Sequence, residues 1–148
     1  MRSFVSKPIG LTAIDIGAAY NRADLIFDGV DHAGGSYALR VFFNNPDATS
    51  STGASVENGY AGSVYVFGHG GCFGDEGHCE VPAVRQPFDL RPPHQLTPAK
   101  MWIEVTDVIR QVARHEQSLV ITVVPVMTSG TAEDKPLPFQ AVSLVTYA

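Results

Sequence analysis

The chain has 148 residues, of which 45% are apolar and 17% charged, and its formal net charge at pH 7 is −5. This length gives a single domain, residues 1–148, with enough material for a hydrophobic core, and the composition excludes a disordered chain. The negative charge argues against nucleic acid or an anionic membrane as the main partner, and no apolar run approaches the roughly 20 residues of a membrane span.

The first half of the chain predicts strands joined by irregular segments. Residues 1–21 mix glycine, proline and isolated apolar residues, and they fit an N-terminal arm or a short edge strand. Apolar and polar residues alternate over residues 23–28 and 36–44, which is typical of strands with one buried face. The predicted inward faces are Ala23, Leu25 and Phe27 in the first strand and Tyr37, Leu39, Val41 and Phe43 in the second. A polar loop follows, and residues 60–67 return to a strand pattern.

The second half begins with an irregular region, residues 86–98, whose four prolines exclude a central strand. Alternation resumes over residues 100–105. Thr106 is then a candidate N-cap for a short amphipathic helix over residues 107–115. Two further strands are predicted at residues 119–126, ending at Pro125, and at residues 140–147.

Six or seven strands, long irregular connections and one short α-helix predict an all-β fold. Separate sequential strands with little helix argue against a doubly wound sheet. We therefore expect a β-sandwich or a jelly-roll.

Residues 68–82, called the His/Cys segment below, hold both cysteines, two of the five histidines and five of the fourteen glycines. Because glycine loses the most backbone freedom on ordering, something must hold such a segment in place. The candidates are a Cys72–Cys79 disulfide, a metal ion or close packing against a neighbour. No secretory signal is recognised at the start, so we expect a cytoplasmic protein, in which thiols are mostly reduced.

The His/Cys segment offers a candidate metal site. His69, Cys72, His78 and Cys79 are four potential ligands within eleven residues, and imidazole and thiolate suit copper or zinc. Their spacing matches no zinc-finger signature, and the side chains of the adjacent His78 and Cys79 diverge. A structural disulfide, two inert thiols and a redox-active pair therefore remain alternatives to the metal.

The other candidate residues carry weaker signals. His94, in the proline-rich region, could complete the metal site if that region folds back; otherwise it is an exposed loop histidine. His32 lies in a turn beside glycines and could be a ligand or simply solvated, of which we favour the second. His115 is expected to compensate the dipole at the helix end. No nucleophile elbow and no phosphate-binding loop motif occur in the sequence.

Three stretches, taken in order, resemble a known family. They are residues 38–44 (ALRVFFN), residues 60–69 (YAGSVYVFGH), and residues 105–112 (VTDVIRQV) with 118–125 (SLVITVVP). Together they resemble the C-terminal β-sandwich of the polyphenol oxidases, that is, tyrosinases and catechol oxidases, which has a cousin in molluscan haemocyanin. The order and rough spacing agree over residues 22–147.

The resemblance implies a module that packs beside a helical dicopper oxidase domain and shields its substrate entrance. A dicopper centre needs six histidines from a helical bundle, and this chain has five histidines. We therefore expect a non-catalytic module, with a dicopper oxidase domain or a second copy of itself as partner. The alternative is a stand-alone copper- or zinc-binding protein that uses the segment from His69 to Cys79.

Overall fold

The computed structural model describes residues 2–11, 20–70, 75, 97–128 and 137–147. These residues form antiparallel strands with a single short α-helix, so the all-β class is confirmed. The strands are β1 (Phe4–Val5), β2 (Ile9–Gly10), β3 (Arg22–Val30), β4 (Tyr37–Phe43), β5 (Tyr60–Val66), β6 (Ala99–Glu104), β7 (Ser118–Leu119), β8 (Ile121–Met127) and β9 (Ala141–Tyr147). The helix α1 is Thr106–Ala113, and a 3₁₀ turn lies at Val56–Asn58.

The described strands form two main sheets and a small one. The four-stranded sheet has the order β1-β8-β4-β5, and the three-stranded sheet has the order β6-β3-β9. Strands β2 and β7 form a separate two-stranded pair. At the centre of the four-stranded sheet, Leu39 of β4 lies opposite Val64 of β5 and Pro125 of β8.

The inner faces of the two main sheets share one hydrophobic core. The predicted inward faces of β3 and β4 are confirmed, since all their members are buried: Ala23, Leu25, Phe27, Tyr37, Leu39, Val41 and Phe43. Phe139 stacks edge-on against Phe4 and Phe27, with ring centroids 5.8 and 5.4 Å apart. A shared core does not by itself establish a β-sandwich or a jelly-roll, so that arrangement stays a prediction.

The polar loop between β4 and β5 covers part of the outer face of the four-stranded sheet. The Arg40 guanidinium lies over the rings of Phe42 and Tyr60, 5.2 and 5.8 Å from their centroids. It donates hydrogen bonds to the carbonyl oxygens of Ser50 (2.9 Å) and Thr52 (2.6 Å). Phe42 is fully buried under this loop, in a small second cluster with Ala48 and Val124.

The helix begins differently from the prediction. Val105 is its N-cap residue and makes no side-chain capping bond, so the proposed Thr106 cap is wrong. The Thr106 hydroxyl is used elsewhere: it accepts the Ala23 amide (2.9 Å) and donates to the Glu104 carboxylate (2.9 Å). These bonds fasten the start of α1 to β3 and β6, and Ile109 buries the apolar face of the helix in the core.

Strand β8 does not end at Pro125, as predicted, but continues to Met127. Its neighbour β1 pairs only with Val123 and Thr122. Beside Pro125, β8 therefore pairs with β4 on one side and with no described strand on the other, and a missing N–H is tolerated at such a position. None of the described residues forms a helix long and apolar enough to cross a membrane.

Candidate functional site at the start of the His/Cys segment

The end of β5 delivers the chain into the His/Cys segment alongside the turn that precedes β4. The Gly68 amide donates to the Ser36 hydroxyl (3.0 Å), and the His69 amide donates to the His32 carbonyl (3.0 Å). The Gly70 amide donates to the Gly34 carbonyl (2.8 Å). These bonds prolong the β4–β5 pairing beyond the strand ends, so the start of the segment is held against a defined partner.

Glycine is required where the two backbones meet. A Cβ atom at Gly68 would lie 2.2 Å from the Gly34 carbonyl oxygen and 2.3 Å from the Gly35 carbonyl carbon. Such contacts are too short for any side chain, and the obstacle is backbone that cannot rotate away. Gly68 therefore fixes how closely the segment approaches the turn.

This approach brings two imidazoles together. The Nδ1 atoms of His32 and His69 lie 3.1 Å apart, and the ring centroids lie 4.9 Å apart. The His32 Nε2 atom lies 2.8 Å from the Thr97 carbonyl oxygen, and the His69 Nδ1 atom lies 3.2 Å from the His32 carbonyl oxygen. His69 is exposed and His32 is half-buried.

The hydrogen bonds assign the tautomer of His32. The Thr97 carbonyl can only accept, so His32 Nε2 carries a proton and, in the neutral ring, Nδ1 keeps its lone pair. In the hydrogen-bonded pair, His69 Nδ1–H is then the donor toward His32. The lone pair of His32 Nδ1 therefore points at the His69 ring.

A buried tyrosine supports the turn beneath the imidazoles. The Tyr37 hydroxyl donates to the carbonyl oxygens of Asp31 and Pro138, and the Asp31 carboxylate accepts the Ala33 amide (3.0 Å). Burial, with a smaller contribution from the Asp31 charge, raises the pKa of the Tyr37 hydroxyl well above its usual value. Tyr37 thus links Asp31, the residue before His32, to Pro138 in the segment that precedes β9.

Two large aromatic side chains stand exposed next to this corner. Tyr65, an outward-facing residue of β5, is 73% exposed. Phe67, the residue after the end of β5, is 80% exposed. The Phe67 ring centroid lies 6.4 Å from that of His69. Tyr65 lies opposite Ala38 on β4, beyond the part of the sheet that the loop covers.

Of the predicted ligands, the structure describes only His69. Cys72, His78, Cys79 and His94 lie outside the described residues, so the metal site and the Cys72–Cys79 disulfide stay predictions. Among the residues that are described, no group of three or more histidine, cysteine, aspartate or glutamate side chains is placed to hold a metal ion.

His32 is the site residue that the sequence reasoning underrated. It is half-buried and not fully solvated, and it contacts His69 and Thr97. A usable signal existed: if residues 36–44 and 60–67 pair as antiparallel neighbours, the residues before the first strand must lie beside those after the second. His115, by contrast, lies in the turn after α1 and is exposed.

A separate groove of about 350 Å³ lies between the 3₁₀ turn and α1. Its walls include Val56, Tyr60, Val108, Val112 and Glu116. The β4–β5 loop forms part of the groove, and none of the predicted ligands lines it.

Comparison with known proteins gives no match: no family model, no curated protein and no solved structure matches this chain. The chain is therefore interpreted from its own residues and geometry.

Proposed function

We propose that this chain is a non-catalytic, tyrosinase-type β-sandwich module that packs on a copper oxidase domain and shields it. The single observation that carries the proposal is the exposed pair formed by Tyr65 of β5 and Phe67, the residue after the end of β5, which are 73% and 80% accessible. The ordered resemblance of three stretches to polyphenol oxidase modules supports the same assignment.

The surface around this pair is suited to contact with a protein. Large aromatic side chains dominate the binding energy of protein interfaces because they bury much apolar area with little loss of conformational freedom. The pair sits on a sheet fastened by the shared core, so little ordering is needed on binding. The neighbouring Ala38 and Val126 are paired across β4 and β8, but Ala38 is buried and Val126 is half-buried, so Tyr65 and Phe67 supply the exposed apolar area.

The chemistry of the chain fits a shielding role better than an oxidase role. Its five histidines are too few for the six ligands of a dicopper centre, and His32, His69 and His115 lie on turns and loops. A module of this kind contributes a surface that covers the substrate entrance of its partner, and the partner contributes the copper.

The test is co-purification with a tagged chain from its native source. The wild type should retain a protein that contains a dicopper centre, and the double variant Tyr65→Ser/Phe67→Ser should lose it. Trp102→Ser is the matched control, because Trp102 is also exposed (58%) but lies on the three-stranded sheet. Added wild-type chain should also slow phenol oxidation by the purified partner.

Retention of the same oxidase by the double variant, or no effect of the chain on phenol oxidation, would contradict the proposal. A self-associated chain with no copper protein bound, seen by light scattering after size exclusion, would replace the oxidase with a second copy as the partner.

A second candidate function, binding of copper or zinc by the chain itself, is favoured by one observation. His69, the first predicted ligand of the His/Cys segment, lies against a second imidazole, with 3.1 Å between the Nδ1 atoms. Cys72, His78, Cys79 and His94 would supply the remaining ligands. Elemental analysis of protein purified without chelator tests it: less than about a tenth of an equivalent of metal rejects a tightly bound structural ion.

A further inference from the structure

We propose that His32 and His69 bind a late first-row transition-metal ion, Zn²⁺ or Cu²⁺, through their two Nδ1 atoms. The proposal is independent of the docking function. It deepens the metal-binding candidate, on which it rests, by adding His32 and by defining the ligating atoms.

The separation of the two nitrogens fits a shared ion. Imidazole nitrogens bind zinc at about 2.0–2.1 Å, so two of them on a tetrahedral ion lie roughly 3.3 Å apart. The observed Nδ1–Nδ1 distance is 3.1 Å. A small rotation of either ring would therefore place an ion between the nitrogens without movement of the backbone.

The orientation of His32 matches that of a metal-bound histidine. Ligating histidines commonly donate their second ring N–H to a carbonyl or carboxylate, which fixes the tautomer and the ring plane. His32 Nε2 makes this bond to the Thr97 carbonyl oxygen at 2.8 Å. The Nδ1 lone pair is thus already directed toward His69 before an ion arrives.

Metal binding requires a change of tautomer at His69. In the hydrogen-bonded pair the proton is on Nδ1, and in the metal-bound pair it must be on Nε2, so that Nδ1 offers its lone pair. Both forms are neutral imidazole tautomers, and the exchange costs no net charge. The exposed position of His69 leaves room for water as the other ligands.

The backbone holds the two rings in place. The His69 amide is bonded to the His32 carbonyl, and the Gly70 amide is bonded to the Gly34 carbonyl on the adjacent turn. Gly68 leaves no space between these chains for a side chain. A pair of ligands fixed by main-chain bonds is preorganised, which is what a site with few protein ligands needs.

The test is calorimetric titration of the full-length, metal-free chain with Zn²⁺. Wild type should bind about one ion, and His32→Gln and His69→Gln should each weaken binding by at least about tenfold, since loss of even a group that only orients a ligand has an effect of this size. His115→Gln is the matched control, since His115 is an exposed histidine remote from the pair, and it should bind as wild type does. Circular dichroism checks that the variants fold.

A second readout counts the nitrogens directly. With one equivalent of Cu²⁺, the electron paramagnetic resonance spectrum of wild type should show hyperfine coupling to two imidazole nitrogens. Each histidine variant should show one fewer nitrogen, and His115→Gln should keep the wild-type pattern.

The outcomes separate this proposal from the broader metal-binding function. Zn²⁺ binding that is unchanged in His32→Gln overturns the imidazole pair and leaves the His/Cys segment as the metal site. If the wild type binds no Zn²⁺, the imidazole-pair proposal and the metal-binding function are both wrong. His32 and His69 then form only a hydrogen-bonded pair. The variant Cys72→Ser/Cys79→Ser, measured alongside, decides whether thiolates add to the affinity.

Discussion

Tyr37 shows how one buried hydroxyl connects the core to the candidate site. Its ring faces the shared core, while its hydroxyl bonds the carbonyls of Asp31 and Pro138. The same burial that stabilises the ring opposes ionisation, so the pKa of the hydroxyl is raised in the folded protein. Folding stability should therefore depend on pH through this residue.

The sign of this dependence follows from proton binding in the two states. Below the unfolded pKa of about 10, the phenol is protonated in both states and adds no pH dependence. Above it, the unfolded chain releases the proton and the folded chain keeps it, so stability falls as pH rises, by at most about 1.4 kcal/mol per pH unit.

Tyr37→Phe should remove this alkaline loss. At pH 7 the variant should be less stable by about 1 kcal/mol, because the Asp31 carbonyl loses the Tyr37 donor, while the Pro138 carbonyl keeps the Asp31 amide. The difference from wild type should shrink between about pH 10 and pH 11. Urea unfolding across this range measures it, with Tyr65→Phe at an exposed tyrosine as control. A difference that stays constant with pH would show that Tyr37 is not the group responsible.

At the level of secondary-structure elements, the Thr106 hydroxyl joins β3, β6 and α1. It accepts the Ala23 amide of β3 and donates to Glu104 at the end of β6, while Thr106 itself begins α1. Ala23 is fully buried, so its amide has no access to water. The hydroxyl therefore replaces a strand partner that the sheet does not provide at this point.

Removing this hydroxyl should cost more than removing the neighbouring methyl group. Thr106→Val leaves the buried Ala23 N–H without an acceptor and should destabilise the fold by about 1–3 kcal/mol. Thr106→Ser keeps the acceptor and should lose roughly 1 kcal/mol or less. Chemical denaturation of both variants distinguishes them. Equal losses would mean that packing, and not the hydrogen bond, fastens the helix.

The strands were predictable from sequence where apolar and polar residues alternate. Alternation identified the core-facing residues of β3 and β4, because a period of two places alternate residues on the same face. The role of Thr106 was not predictable, since its partner Ala23 is 83 residues away in sequence. The extension of β8 through Pro125 was missed because it depends on where the short strand β1 stops.

The candidate site was likewise predictable from the sequence only in part. The concentration of ligands identified the His/Cys segment, and the structure places its first member, His69. The contact with His32 spans 37 residues and follows from the antiparallel pairing of β4 with β5, not from any local pattern. The close approach at Gly68 is visible only when both backbones are known.

On the scale of the whole molecule, the shared core should make the two main sheets unfold together. Buried residues from both, including Leu25 and Leu39, belong to one cluster. The only tryptophan, Trp102, lies on β6 of the three-stranded sheet and reports on that sheet alone.

Leu39→Ala, in the four-stranded sheet, should therefore shift the unfolding transition seen by Trp102 fluorescence. A loss of about 2–5 kcal/mol is expected for a cavity at a fully buried leucine. The midpoint from far-UV circular dichroism should move by the same amount. Val56→Ala, at a side chain 65% exposed, is the control and should change stability little. An unchanged Trp102 midpoint in Leu39→Ala would show that the sheets unfold independently.

The Arg40 contacts bear on how this protein can vary during evolution. The guanidinium holds the loop by the main-chain carbonyls at positions 50 and 52, which every amino acid carries. The side chain at position 50 can therefore change while the path of the loop is preserved, whereas the Thr52 hydroxyl also accepts the Thr49 amide (2.8 Å). Divergent relatives should thus keep the arginine and its two aromatic neighbours, and vary at position 50.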